Sequence, residues 1–380
     1  MKRATILPVI VVLALIMVAC GGGTTPAPAE PAAPTATTAA AAEPAPAATA
    51  TTAPAPTEAA AATKPAQMQT VKLVVGDGVG NPLGHVQAIS KAKGFSEPGL
   101  EIEWKRFPSG AAQVEALASG DLQVGIAGDT PAMALISGGT PAKIVSKQTD
   151  PSRGYAVYAR QDANVQKPED LYGKTVGFTF GSQASALWAN VLGAYNLDAS
   201  KMKTIDLSPP DLVASYERGD IEVFAIWQPY GYRLSQIRPT VKLHDPYTSY
   251  FPSAPGPKRL GGYYTVIIAR DEVIRNQPEA LKAFLRLVDR TNKFITENPA
   301  EAVQIISENI KADPEGQKVT IEQIEHTMVV DDLFLQDLES QANFLFKQGR
   351  LRNAPKPGLQ GWYDFSLLKE VFPEYVKVTQ

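Results

Sequence analysis

Residues able to do covalent chemistry are sparse in this chain and too widely spaced to act together. Its three histidines, His85, His244 and His326, stand apart, without the His-Glu-x-x-His spacing or cysteine neighbours that would hold a catalytic metal. The only cysteine is Cys20, so beyond it there is neither thiolate chemistry nor a disulfide. Gly181-Ser182-Gln183-Ala184-Ser185 lacks the Gly-x-Ser-x-Gly form of a nucleophile elbow. Gly78-Val79-Gly80 lacks the third glycine of a dinucleotide loop, since position 83 is leucine. No nucleophile, base and orienting group can be assembled from neighbouring motifs, so no catalytic residue, cofactor or metal is expected. What recurs is small or hydroxyl-bearing residues where a strand or turn feeds a predicted helix: Ser109-Gly110, Gly128-Asp129-Thr130 and Ser182-Gln183-Ala184. The first N–H groups of a helix have no partner within it, so such starts bind anions or hydrogen-bond acceptors. The chemistry on offer is binding.

The elements that must position these residues can be read from Gln113 to Pro131. Val114, Leu117 and Ala118 form an apolar stripe at helical spacing, Gly120 ends the helix, and Leu122 to Ala127 alternates as a buried strand. Gly128-Asp129-Thr130-Pro131 then opens another helix, with Asp129 or Thr130 as its cap and Pro131 in its first position. Asp129 reads first as a helix cap that needs no ligand, with a ligand contact that repels an anion and attracts an amine as the alternative. The device recurs from Ala214 to Ile226, with Gly219-Asp220 as its turn, and ends in Trp227-Gln228-Pro229-Tyr230. Trp227 is either core or cleft wall there. Two α/β lobes facing one cleft would carry such a duplication.

Around this pair, Val71 to Val75 reads as a first strand, and a glycine loop through Asn81, Pro82, Leu83 and Gly84 leads to a helix from His85 to Lys93. His85 would line the cleft, whereas His326 is expected to be solvated on a polar helix within Ile321 to Met328. The stretches Gly154 to Asp162 and Tyr263 to Asp271 share a length and an Ala-Arg ending, and are expected to be the two strands of a hinge. The domain expectation is then 70–158 with 262–380 as lobe 1, and 159–261 as lobe 2. Pro278 to Asn298 and Pro299 to Asn309 read as amphipathic helices covering the first lobe.

Met1-Lys2-Arg3 followed by the apolar Ala4 to Met17 reads as a secretory signal, too short to span a bilayer. Met17-Val18-Ala19-Cys20 is similar to a lipobox, so residues 1–20 are a lipoprotein signal peptide and Cys20 the site of acylation. Residues 21–69, rich in alanine, proline and threonine, form a linker that cannot bury enough surface to fold. A net charge of −3 argues against a nucleic-acid partner.

Phe107-Pro108-Ser109-Gly110, Ala127 to Ala132, Leu171 to Gly177, Gly181 to Ala184 and Ala225 to Tyr230 fall in an order that resembles the solute-binding proteins of ABC importers for aliphatic sulfonates, taurine and nitrate, the NMT1/THI5-like family. The resemblance implies a type II periplasmic-binding-protein fold, two α/β lobes joined by a two-stranded hinge. It implies a lipid-anchored, extracytoplasmic monomer that delivers a small anionic solute to the permease, tethered to the membrane surface through Cys20. It implies ligand contacts at Asn81, Pro82, Leu83, Gly84, Ser109, Gly110, Gly128, Asp129, Thr130, Ser182, Gln183, Trp227 and Gln228, and the adjoining His85, Ala184 and Tyr263 are further candidate contacts. The family also holds binders of pyrimidine thiamine precursors, and Asp129, where many members are neutral, leaves room for an aminosulfonate or a heterocycle. A related pyrimidine synthase of this fold uses a cysteine-rich motif that this chain lacks. A sensor domain of the same fold is the remaining alternative.

Overall fold

The computed structural model describes residues 70–78 and 83–379. The leader, the linker, Cys20, Asn81 and Pro82 lie outside the described residues.

Two mixed sheets organise the chain. The first has strand order β2-β1-β3-β12-β4. Its strands are β1 (Val71–Gly78), β2 (Leu100–Phe107), β3 (Val124–Gly128), β4 (Ala142–Thr149) and β12 (Thr265–Arg270). The second has order β11-β10-β9-β5-β8-β6-β7. It comprises β5 (Tyr155–Arg160), β6 (Thr175–Phe178), β7 (Lys203–Asp206), β8 (Val223–Trp227), β9 (Thr240–His244) and the short β10 (Thr248–Ser249) and β11 (Gly256–Pro257).

Helices α1 (His85–Lys93), α2 (Gly110–Ser119) and α3 (Asp129–Ser137) link the parallel strands of the first sheet. Helices α4 (Gln183–Ala194), α5 (Pro209–Arg218) and α6 (Tyr230–Ile237) do the same in the second. The C-terminal chain adds α7 (Asp271–Asn276), α8 (Pro278–Glu297), α9 (Pro299–Ile310), α10 (Pro314–Glu322), α11 (Asp332–Lys347) and α12 (Ser366–Val371). A parallel pair, β13 (Val330–Asp331) with β14 (Val376–Lys377), ties down the end of the chain. Among the described residues no helix is long and apolar enough to cross a membrane.

The duplicated device folds twice. Gly120 and Gly219 end α2 and α5 at φ 91° and 88°, the left-handed region that favours glycine. The strand that follows each, β3 or β8, is fully buried in the middle of its own sheet. The expected hinge strands extend the repeat rather than joining the lobes. β5 runs antiparallel to β8, and β12 runs antiparallel to β3, so each belongs to a different sheet. Their shared Ala-Arg ending has one cause: Arg160 donates to the Gly219 carbonyl (3.3 Å) and Arg270 to the Leu117 carbonyl (2.5 Å), each closing the C-terminus of its device helix. Residues 155–158, expected in lobe 1, therefore sit in the second sheet. The chain crosses between sheets just before each strand.

A helix through Ile321 to Met328 does not form. Asp313 caps α10, which starts at Pro314 and stops at Glu322. Glu325 instead exchanges backbone hydrogen bonds with Asp150 (2.8 and 2.9 Å).

Candidate functional site

Because β1, β2, β3 and β4 run parallel, their C-terminal ends share one edge of the first sheet, and the helices that follow begin there. Ser109 caps α2 by accepting from Ala112 N–H (3.3 Å). Gly110 lets that start approach β3: a Cβ on it would lie 3.2 Å from the Gly128 nitrogen. The cap expected from Asp129 or Thr130 is absent. Helix α3 starts at Asp129 with Gly128 as its uncapped N-cap, leaving Pro131 in the third position.

Asp129 is fully buried and engaged elsewhere. Its Oδ2 accepts from Tyr264 N–H (2.8 Å), and its Oδ1 from Thr130 N–H (2.6 Å) and from Gln183 Nε2 (2.9 Å). Burial pushes its carboxyl up to about 7, against the pull of these donors. Thr130 Oγ1 accepts from Gln341 Nε2 of α11 (2.5 Å).

Gln183 comes from the other lobe, as the first residue of α4. Ser182 caps α4 by accepting from Ser185 N–H (3.4 Å), and Gln183, the first residue inside, extends across the gap. Its Nε2 donates to both Asp129 and the Tyr264 carbonyl (2.8 Å), while its Oε1 accepts from Tyr155 O–H (2.6 Å). A Cβ on Gly128 would overlap the Gln183 carboxamide, so glycine is needed there. The starts of α2, α3 and α4 thus converge, two from one lobe and one from the other. Tyr155 extends the cluster, its ring 6.0 Å from Trp227 and 6.1 Å from Tyr263. Tyr263 is buried, its N–H donating to Ser152 Oγ (2.9 Å) and its hydroxyl accepting from Asn190 (2.6 Å). Trp227 is buried, and its Nε1 has no hydrogen-bond partner among the described residues.

Other expected residues turn away. Gln228 serves its own lobe, accepting from Tyr232 N–H (2.8 Å) and donating to Tyr158 O–H (3.3 Å). Ala184 and Leu83 are packed in the core, and Gly84 passes so close to the Gly78 carbonyl that a Cβ would overlap it. His85 is buried at the start of α1, its Nε2 3.1 Å from Gln317 Nε2 and its ring stacked 5.9 Å from His326. His326 is neither helical nor freely solvated: its Nε2 is enclosed, and burial pushes it down to about 4. Nearby at the end of β1, buried Asp77 accepts from Arg106 Nε (3.0 Å), and burial raises its carboxyl to about 6. Tyr155, Tyr264 and Gln341 join the site beyond the residues expected from sequence, because nothing local marks a residue whose partner is far along the chain. No cluster of three or more His, Cys, Asp or Glu able to hold a metal occurs among the described residues.

A family model described as NMT1/THI5 like matches residues 87–302, more than half of the chain. The chain belongs to the NMT1/THI5-like family. Among its relatives, the taurine-binding periplasmic protein of Escherichia coli (strain K12) is 31% identical over 133 residues, covering 35% of this chain and 41% of that protein. The alkanesulfonate-binding protein SsuA of Xanthomonas axonopodis pv. citri, solved bound to MOPS, superposes with a TM-score of 0.64 at 18% identity, covering 76% of this chain and 98% of that one. The periplasmic nitrate-binding protein NrtA of Synechocystis PCC 6803 gives 0.64 at 16% identity, covering 80% and 89%. At such identities these two similarities carry the fold, that of a periplasmic binding protein, and not the ligand. These three proteins, similar to the NMT1/THI5-like chain, are named as binding proteins.

Proposed function

We propose that this NMT1/THI5-like protein is the extracytoplasmic solute-binding component of an ABC importer, tethered through acylated Cys20, with residues 159–261 forming most of the mobile lobe. The observation that carries the reading is the meeting of three helix starts, drawn from both lobes, at Asp129 and Gln183. Helix starts favour an anionic head by about 0.3–1 kcal/mol each, and by up to about 2 when partly buried. Asp129 disfavours a bare anion at the same spot and favours a solute that also carries an N–H donor. The ligand is therefore a small sulfonate-type anion bearing an amine, as taurine does, in preference to nitrate or a simple alkanesulfonate.

Calorimetry on the purified chain tests this. Taurine should bind more tightly than ethanesulfonate, and ethanesulfonate more tightly than nitrate, with Asp129→Asn erasing the preference for the amine. Failure of all three to bind rejects the reading. Metabolic labelling with a radioactive fatty acid, lost in Cys20→Ser, tests the tether.

A second reading has its own support. The Gln183 carboxamide meets two acceptors, Asp129 and the Tyr264 carbonyl, and one donor, Tyr155. The edge of an aminopyrimidine offers the same donor and acceptor pattern. Binding of 4-aminopyrimidine with silence from taurine would favour this alternative.

A further inference from the structure

An open groove of about 630 Å³ lies between α6 of the second lobe and the corner where α9 meets α10 in the first. That volume is typical of small-molecule sites, roughly 300–1,000 Å³. Tyr230 and Tyr232 line one wall and Ile310 the other, and each wall contributes one exposed cation, Arg233 or Lys311. Neither cation forms an ion pair among the described residues. Asp313, the carboxylate in the lining, is already committed as the cap of α10, its Oδ2 accepting from Gly316 N–H (2.8 Å). Lys311 ends α9 at φ 53°, a left-handed position that favours glycine, yet a lysine holds it. Gly316 lets the two walls touch: a Cβ there would lie 2.8 Å from the Tyr232 ring. Tyr230 meets Trp227 edge-on at 6.2 Å, which links the groove to the cleft through aromatic rings.

Aromatic walls with two exposed cations, one from each side, against a single carboxylate select a flat, negatively charged guest. A guanidinium offers a planar fork of donors matched to an oxyanion, an ammonium adds a second charge, and phenol rings pack against a ring face. We propose that this groove binds a planar organic anion, an aromatic sulfonate or carboxylate, with Arg233 and Lys311 holding its charged group and Tyr230 and Tyr232 flanking its ring. Because the walls belong to different lobes, an occupant bridges them. The groove shares no residue with the Asp129–Gln183 cluster, so a guest here is independent of the solute proposed above.

The test is calorimetry on the full chain with benzenesulfonate, methanesulfonate and benzylammonium as probes. Benzenesulfonate should bind one to one and more tightly than methanesulfonate, and benzylammonium should give no heat. Arg233→Ala and Lys311→Ala should each weaken benzenesulfonate about tenfold, the double variant more, with melting unchanged because both side chains are exposed. Asp129→Asn should leave benzenesulfonate affinity unaltered while it alters taurine binding, so failures of the two sites are told apart. Absence of benzenesulfonate binding overturns the proposal. So does binding that survives the double variant, or that disappears in Asp129→Asn.

Discussion

Gln183 donates its Nε2–H to Oδ1 of Asp129 at 2.9 Å, joining the first turn of a helix in one lobe to the first turn of a helix in the other. The same carboxamide takes a hydrogen bond from Tyr155 in its own lobe. The two lobes are therefore latched by the same groups that are proposed above to hold the solute.

Gln183→Ala should release the latch. It leaves Tyr155 O–H without its acceptor and Asp129 short of one donor, and a buried unpaired polar group costs about 1–3 kcal/mol. The expected results are a lower melting temperature and a larger radius of gyration of the ligand-free protein in small-angle scattering. An unchanged radius and melting point would mean that the contact holds nothing together.

Asp129 sets a pH dependence of defined sign. Its carboxyl is raised from 3.8 to about 7 by burial, so the folded chain holds this proton more firmly than the unfolded chain does. The stability this provides is complete below pH 3.8 and is lost as pH rises through about 7. Urea midpoints of the native protein and Asp129→Asn, compared at pH 5 and pH 8, should show the native protein losing more across the interval. Asp77, raised to about 6 in the same direction, is present in both proteins and cancels.

The histidine pair works the opposite way. Burial lowers His326 to about 4 and His85 well below 6.5. Both are neutral in the fold, and the stability they contribute is present above pH 6.5 and lost as pH falls. Protonated His85 would also set an N–H against the Gln317 amide it now faces at 3.1 Å. Replacing both by glutamine should flatten the fall in melting temperature between pH 6.5 and 4.5. A variant as acid-sensitive as the native protein would assign that fall to other groups.

Arg160 and Arg270 should behave as equivalents. Each closes the last turn of a device helix, α5 or α2, while also pairing with a carboxylate two residues on, Asp162 (2.8 Å) or Glu272 (3.0 Å). Hydrogen bonds involving a charged group contribute about 1.5–3 kcal/mol, so either change to alanine should lower stability by an amount in that range. Faster amide exchange should appear at the end of α5 in Arg160→Ala and at the end of α2 in Arg270→Ala. Exchange rising equally in both helices in either variant would contradict the assignment.

Much of the frame was legible because it is local. Ser109 and Ser182 cap the helices they precede, Gly120 and Gly219 end α2 and α5, and α1 spans His85 to Lys93 as read. Each of these features is decided within about one turn of chain, where side-chain oxygen, backbone N–H and allowed φ are neighbours in sequence. The matching Arg160 and Arg270 strands were legible as a pair, but a shared ending does not say whether two strands lie side by side or hold the same post in different sheets.

The sequence by itself determined a duplicated helix–turn–strand device, several helix starts with small or hydroxyl residues, and a series of motifs in the order of the NMT1/THI5-like family. Only the tertiary structure decided that Asp129 latches rather than caps. Its partners Gln183 and Tyr264 lie 54 and 135 residues away, and that of Thr130, Gln341, lies 211 away. A carboxylate can meet its local amide or a distant one, and only the approach of the two lobes, with the burial it brings, makes the distant partners available together.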